Sequence, residues 1–579
     1  MPELAAPEPS AAAEWWRTAV VYQVYLRSFA DSDGDGLGDL AGLRSHLDHI
    51  QDLGADVVWV TPFYQSPQAD NGYDISDYDS IDPTFGSDAD FDALVADLHS
   101  RGMKLVMDVV LNHTSDQHDW FMESRTSKDS PKRDWYIWRP AREGAVPGTP
   151  GAEPTNWLGF FAQPAWTYDE QSGEYYLHLF TREQPDLNWE NPQVRQALYA
   201  TLRRWLERGV DGFRMDVINL ISKRYPLVDV PSDDGGHADA FDQFTCGPRL
   251  LEFLDELKAE VLDRSDKDLL TVGEMPGATI ADARAVTGGD DPRLSMIFTF
   301  EHMDVDHAPT WGGRYDPRPF DLRALKSIMA RWQEGLAGAG WNSLYFGNHD
   351  QARSVSRFGS RDPQFAQRSA TLLATVLHLH RGTPYVYQGD ELGMTNYPFA
   401  GIEEFRDVDA LNSWERARST GVPAERLLAG LRQNGRDNAR TPMQWDASPT
   451  GGFTTGTPWL AVNPNTAQVN AATQAGDDSS VLAHYRRLIR LRHHHAIVAL
   501  GDFVLLVPEH ESLWAFTRSH GSETWLVTAN LSEASLDLTD LAHLPDLTDA
   551  DLLLSNLDSA GARPGMLRPW EVRILRIAA

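Results

Sequence analysis

Short apolar runs alternate with amphipathic stretches along most of the chain. The runs cover residues 20–27, 57–63, 104–113, 209–217, 269–274, 294–300, 341–350 and 384–389. Most are continuous rather than alternating, as expected of parallel strands buried on both faces. Helical spacing falls between them. Within 88–101, Phe91, Leu94, Val95 and Leu98 share one face. Within 193–208, Val194, Ala197, Leu198, Leu202, Trp205 and Leu206 do the same. Eight strands alternating with helices predict an α/β fold, a (β/α)8 TIM barrel. Alternation alone leaves a doubly wound sheet open.

Two segments interrupt the pattern. Residues 114–183 follow the third run, are rich in Pro, Gly, Trp and Tyr, and are too long for a simple loop. They predict an inserted, loop-rich subdomain over the mouth of the barrel. The expected division is a discontinuous barrel over 1–112 and 187–499, with the insert over 113–186. A second loop-rich insertion is expected over 397–460, after the eighth strand. A last helix near 479–493 precedes a change of texture. From residue 500 to 579, segments 503–507, 513–517, 524–528 and 572–577 alternate, predicting a C-terminal antiparallel β-sandwich.

Charge and composition narrow the partners. The 579 residues hold 51 Lys and Arg against 84 Asp and Glu, a formal net charge of −33. Binding nucleic acid needs clustered cations, so nucleic acid is not expected as the partner, and neither is an anionic membrane surface. No stretch has the apolar length of a membrane span. The single cysteine, Cys246, can form no intramolecular disulfide and no cysteine-based zinc site. Residues 1–13 lack the basic start and apolar stretch of a signal peptide and read as a frayed leader. The expected location is the cytoplasm, with the chain a monomer or weak homo-oligomer.

The chemistry shows where the strands end. The third run closes on Asp108-Val109-Val110-Leu111-Asn112-His113. The fourth reads Gly212-Phe213-Arg214-Met215-Asp216-Val217. The fifth ends at Glu274, and the seventh at Asn348-His349-Asp350. In a closed parallel barrel these ends converge on one face, where active sites sit. Two carboxylates there can cleave a glycosidic bond, one as ionised nucleophile and one held protonated as acid. Arg214 lies two residues before Asp216, so both side chains point inward from one strand, and the guanidinium would keep Asp216 ionised. Glu274 would need a raised pKa, set by burial and the neighbouring negative charge. Asp350 could bind sugar hydroxyls and stabilise positive charge at the anomeric carbon.

These segments resemble the signature regions of the α-amylase superfamily, glycoside hydrolase family thirteen. Gln184-Pro185-Asp186-Leu187-Asn188 and Arg436-Asp437-Asn438-Ala439-Arg440-Thr441-Pro442-Met443-Gln444-Trp445 resemble its oligo-1,6-glucosidase subfamily. The resemblance implies Asp216 as nucleophile, Glu274 as acid/base and Asp350 as transition-state stabiliser. It implies that His113 and His349 bond the glucosyl unit in subsite −1 and that Arg214 supports the nucleophile. Within Asp70-Asn71-Gly72-Tyr73-Asp74, Tyr73 would stack on that sugar. Asp70 would pair with Arg436, in preference to Arg440, and close the pocket behind the non-reducing end. The implied activity is that of a retaining exo-acting α-glucosidase on short oligosaccharides. Val217, next to the nucleophile, goes in this subfamily with α-1,6 linkages. Pro276 departs from relatives that carry Trp there. The rivals are a transglucosidase or sucrose-active relative, isomerases included, an α-1,4-preferring α-glucosidase, and a catalytically dead relative.

One further motif suggests a metal. Asp31-Ser32-Asp33-Gly34-Asp35-Gly36-Leu37-Gly38-Asp39 matches an EF-hand loop at positions 1, 3, 5, 6 and 9, but position 12 is Gly42 instead of the bidentate Glu. A calcium sensor is therefore not expected. Four acids in one short loop repel each other without a cation, so a structural site is. The resemblance supplies Asp31, Asp33, Asp35, the Leu37 carbonyl and Asp39 as ligands, with Ca²⁺ favoured over Mg²⁺. No organic cofactor is expected. His493, His494 and His495 read as a solvated helix end.

Overall fold

The structure is a computed structural model. It describes residues 14–577 apart from 162, 234, 309–312, 540, 542, 559–562 and 564, so the leader expected over 1–13 lies outside the described residues. Eight strands build the central sheet: β1 (Val21–Val24), β2 (Val57–Val60), β3 (Lys104–Val110), β4 (Gly212–Asp216), β5 (Leu270–Glu274), β6 (Met296–Phe298), β7 (Ser343–Leu344) and β8 (Thr383–Tyr387). They pair in parallel in the order β6-β5-β4-β3-β2-β1-β8-β7. A parallel bridge between Ile297 and Asn342 joins β6 to the start of β7 and closes the ring. Closure decides for the barrel over the doubly wound sheet.

Every strand is shorter than its apolar run. The tails of the runs form the loops at the C-terminal face. Asn112, His113 and His349 therefore sit past strand ends inside the packed region, with Asp350 beside His349 and partly exposed. Helix Asp88–Ser100 starts at a capping box between Ser87 and Asp90. Helix Pro192–Glu207 starts with Asn191 accepting the Gln193 amide and with Pro at its first turn. Its Val194, Leu198, Leu202 and Trp205 join a core continuous from the barrel strands to the surrounding helices.

Between β3 and β4 the chain forms a three-stranded antiparallel sheet, with Glu174–Leu177 between Trp138–Arg139 and Trp166–Asp169. Its own small core includes Trp157, Trp166, Leu177 and Phe244. Val217 and Leu220, just past β4, pack into the same cluster. The segment after β8 is more helical than its loop-rich composition suggests. It carries helices Val408–Ser419, Ala424–Asn434 and Asp437–Arg440, packed through Phe405, Leu427 and Leu431. The Asp407 carboxylate caps the first of them by accepting the Asp409 amide.

The C-terminal unit is a five-stranded antiparallel sheet in the order Asp502–Leu506, Leu513–His520, Glu523–Asn530, Val572–Ile577, Asp551–Ser555. One face enters the main core through Trp514, Phe516, Trp525 and Val527. The other is covered by the ribbon Leu536–Asp537 with Met566–Leu567, so the second layer of the sandwich is short. Strand Asp551–Ser555 escaped the sequence reading because Leu552-Leu553-Leu554 does not alternate. Among the described residues, no helix is long and apolar enough to cross a membrane.

Candidate active site

A cavity of about 640 Å³ opens over the C-terminal face of the barrel. Asp70, Tyr73, His113, Asp216, Val217, Glu274, Asp350 and Arg436 all line it, together with Phe160, Phe161, Phe180, Phe241 and Phe300. Arg214 and His349 lie directly behind that lining, both fully buried.

Arg214 organises the floor. Its Nη1 donates to Asp108 Oδ1 at 2.9 Å and to Asp216 Oδ1 at 2.5 Å, and Nη2 meets Glu274 Oε2 at 2.6 Å. The register places Arg214 beside Asp108 on β3 and Val272 on β5, so one guanidinium reaches the acids of three adjacent strands. The Val217 amide also donates to Glu274 Oε2, at 3.1 Å. That aim depends on backbone strain: Val217 sits at φ 33°, ψ 44°, left-handed geometry that β-branched residues avoid. Both donors use Oε2, which leaves Oε1 as the Glu274 atom able to carry a proton.

Three carboxylates share one cation here. Burial pushes the Asp216 carboxyl well above the usual range; Arg214 pulls it back, while Glu274 and Asp108 push it up again. Burial likewise takes Asp108 up to about 6 against the pull of Arg214. Burial and mutual repulsion therefore work against full ionisation of Asp108 and Asp216 beside a single guanidinium.

Asp350 is the opposite case. Burial alone would raise it, but it stays well below the carboxylate range because cations surround it. His349 stands nearest, yet burial pushes that imidazole down to about 3, so it is neutral at ordinary pH and the arginines carry the effect. Arg440 Nη2 reaches Asp350 Oδ1 at 2.7 Å and Arg436 Nη1 reaches it at 3.1 Å. The expected pairing of Arg436 with Asp70 is present but long, at 3.5 Å. Arg436 is held chiefly by Asp407, with Nη2 at 2.5 Å and Nε at 3.0 Å. Asp70 also accepts from Gln184 Nε2 at 3.2 Å.

The Tyr73 ring belongs to a chain of hydrogen bonds. Gln23 Nε2 lies 2.9 Å from His349 Nδ1, His349 Nε2 lies 2.7 Å from the Tyr73 hydroxyl, and that hydroxyl donates to Asp108 Oδ2 at 3.0 Å. His113 is neutral too, pushed down to about 3 by burial and by Lys223.

The α-amylase catalytic-domain family matches residues 23–501, most of the chain, from within β1 through β8. The chain belongs to the α-amylase family. It is 49% identical over 571 residues to an oligo-1,6-glucosidase of Parageobacillus thermoglucosidasius, covering 97% of this chain and 99% of that one. It superimposes on a trehalose-6-phosphate hydrolase of Bacillus licheniformis with a TM-score of 0.89 at 41% identity, covering 98% and 100% of the two chains. A trehalulose synthase of Pseudomonas mesoacidophila MX-45 gives 0.90 at 41%, with 98% and 100% covered.

The sequence reading of this α-amylase-family chain gave no role to Asp108, Asp407 or Lys223. Asp108 was visible as an acid inside a buried strand. Asp407 was hidden, because it lies in the segment read only as a loop-rich insertion, far in sequence from its arginine partner. The acidic loop is folded on itself: Asp31 accepts the amides of Asp33, Gly34 and Gly36, and Asp39 caps helix Leu40–Ser45 through the Gly42 amide. Ligand atoms of Asp31, Asp33 and Asp39 lie within 4.8 Å of one another, a spacing that fits an oxygen-ligated cation. Asp35 is not one of the three and accepts the Leu37 amide at 2.8 Å.

Proposed function

We propose that the protein is a retaining, exo-acting α-glucosidase that removes the terminal glucosyl unit of short oligosaccharides, with α-1,6 linkages preferred. One observation carries the reading. Asp216 and Glu274 share the Arg214 guanidinium on the floor of a cavity whose opposite wall holds Asp350 between two arginines.

Asp216 is the nucleophile. Its Oδ1 is held by Arg214, and Oδ2 attacks the anomeric carbon. Glu274 passes a proton from Oε1 to the glycosidic oxygen as the bond to the leaving sugar breaks. The product of this step is a covalent glucosyl-enzyme. Glu274, now a carboxylate, takes a proton from water as that water attacks the same carbon, and two inversions give net retention. Asp350 stays ionised at working pH and offsets the positive charge developing at the ring. Asp70 and Arg436 close the cavity behind the non-reducing end, which limits cleavage to one unit. Asp31, Asp33 and Asp39, joined by Asp35 and the Leu37 carbonyl, would hold a structural divalent cation, Ca²⁺ before Mg²⁺, which would neutralise the crowded acids of the loop.

The α-1,6 preference draws support from Val217, whose branched side chain lines the cavity beside the nucleophile, and from the oligo-1,6-glucosidase relatives. A phosphorylated disaccharide fits less well. Of the arginines lining the cavity, Arg314 faces the Asp350 carbonyl and Asp409, and Arg436 is bound to Asp407. Asp304 and Asp409 also line the cavity, adding carboxylates where a phosphate would have to sit. The test is a comparison of initial rates and products on isomaltose, maltose, sucrose, trehalose and trehalose 6-phosphate. Isomaltose should be fastest, with free glucose as product. Maltose clearly ahead overturns the linkage preference; new disaccharides from sucrose would point to an isomerase or transglucosidase.

A further inference from the structure

Lys223 does not line the cavity, yet its contacts lead to His113, which does. The lysine is buried. Its Nζ donates to Asp186 Oδ2 at 2.7 Å and to Asn112 Oδ1 at 2.8 Å. Asp186 is further held by the Leu179 amide at 3.1 Å, and its backbone pairs with that of His113. All three polar residues are fully enclosed.

We propose that Lys223 is a positioning residue that fixes the tautomer of His113 through Asn112, so that His113 presents Nε2–H to the sugar. An ammonium can only donate, so the Asn112 atom facing it must be the carbonyl oxygen. The Asn112 amide nitrogen is thereby turned to the other side. There it donates to Asp186 Oδ2 at 3.1 Å and lies 3.3 Å from His113 Nδ1. A donor at that position requires a lone pair on Nδ1, and a neutral imidazole then carries its proton on Nε2.

One competing contact points the other way. Gln184 Nε2 lies 3.2 Å from His113 Nε2, and its orientation is fixed because Oε1 accepts from the Thr181 amide and hydroxyl. Only one imidazole nitrogen can accept. Gln184 lines the cavity, where water or a sugar hydroxyl can take its second N–H. Asn112 does not, and an N–H left without a partner in a closed interior costs about 1–3 kcal/mol. The enclosed donor therefore decides the tautomer. The ring also faces the Phe180 ring and the Tyr73 carbonyl, an acceptor for whichever nitrogen bears the hydrogen.

The inference rests on the reading that His113 meets the sugar, but its test does not need a substrate. In ¹⁵N-histidine-labelled protein, two-bond couplings show which ring nitrogen bears hydrogen, with His113 assigned by its absence from His113→Asn. The wild-type protein should show hydrogen on Nε2; hydrogen on Nδ1 overturns the proposal. Asn112→Asp keeps the lysine paired but replaces the donor facing Nδ1 by an acceptor. It should move the proton to Nδ1 and lower kcat/KM on isomaltose at least about tenfold, with melting temperature near wild type. Lys223→Met should give a mixture of tautomers. A folded Asn112→Asp that keeps Nε2–H, or one that moves the proton without loss of activity, also refutes it. If that variant fails to fold, the wild-type spectrum decides.

Discussion

Replacing Arg214 by Gln tests the electrostatics at the centre of the site. The guanidinium is 1% exposed and is bonded to Asp108, Asp216 and Glu274. Taking charge centres roughly 4 Å apart in an effective dielectric of about 20, each ion pair is worth about 4 kcal/mol. At about 1.4 kcal/mol per pH unit, losing one pair moves the nucleophile by about three units. The sign follows from the charge: Arg214 favours ionised Asp216, so its removal raises that pKa. The acid limb of kcat/KM against pH reports the nucleophile in the free enzyme. That limb should move alkaline by up to about three units, with activity at pH 7 down as much as about 1000-fold and partly recovered at higher pH. Proton uptake by Asp108 would reduce the shift. Melting temperature should also fall, since removing one partner of a buried charge cluster typically costs about 3–5 kcal/mol. The assay is a full pH–rate profile on isomaltose with folding checked at each pH. A drop in rate by a pH-independent factor, with the acid limb unmoved, would show that Arg214 acts through shape alone.

The other expectations address separate parts of the site. Asp216→Asn should abolish hydrolysis yet raise the melting temperature: a carboxyl whose folded pKa lies above its unfolded value costs stability at any pH above the unfolded one, and the neutral amide removes that cost. A lower melting temperature in a folded Asp216→Asn protein would contradict this. Asp407→Ala should raise KM on isomaltose more than Asp70→Ala, because Asp407 makes the shorter contacts to Arg436; the reverse order would show that Asp70 acts on the sugar directly. Val217→Thr should shift the maltose-to-isomaltose rate ratio toward maltose, and an unchanged ratio removes Val217 from linkage selection. Chelator should lower the melting temperature, with Asp31→Asn removing the response; a chelator-insensitive transition ends the structural-cation reading.

The barrel was legible because its strands are buried on both faces and so appear as eight apolar runs. The catalytic candidates were legible because acids and histidines recur where those runs end. The Arg436 partner was not. Asp407 lies 29 residues before Arg436, and its nearest structural task is local, capping helix Val408–Ser419, so nothing in its neighbourhood in sequence points to the arginine. That helix was itself missed, since the segment around it is rich in breakers and charges and its burial comes from a few residues such as Ala410 and Ala417. Lys223 was given no role, because a lysine after a strand reads as surface until its acceptors are found 37 and 111 residues earlier.

The two kinds of residue also differ in what holds them. Asp216 and Glu274 lie at the ends of strands whose register is set by apolar packing, and so their position follows from the fold. Asp350, Asp70 and Arg436 lie in loops, where no register fixes them. There the ion pairs do the positioning: Arg436 spans Asp407, Asp350 and Asp70, and Arg440 spans Asp350, Asp407 and the His349 carbonyl. Acids at strand ends are therefore readable from sequence one strand at a time, whereas the loop half of the site exists only as a network. Substitutions in that half should be strongly non-additive, because removing one member releases the others. The Asp70→Ala and Asp407→Ala pair should show it. If the cost of the double variant equals the sum of the two single costs, the loops hold Arg436 without help from its partners, and the network account of the −1 wall is wrong.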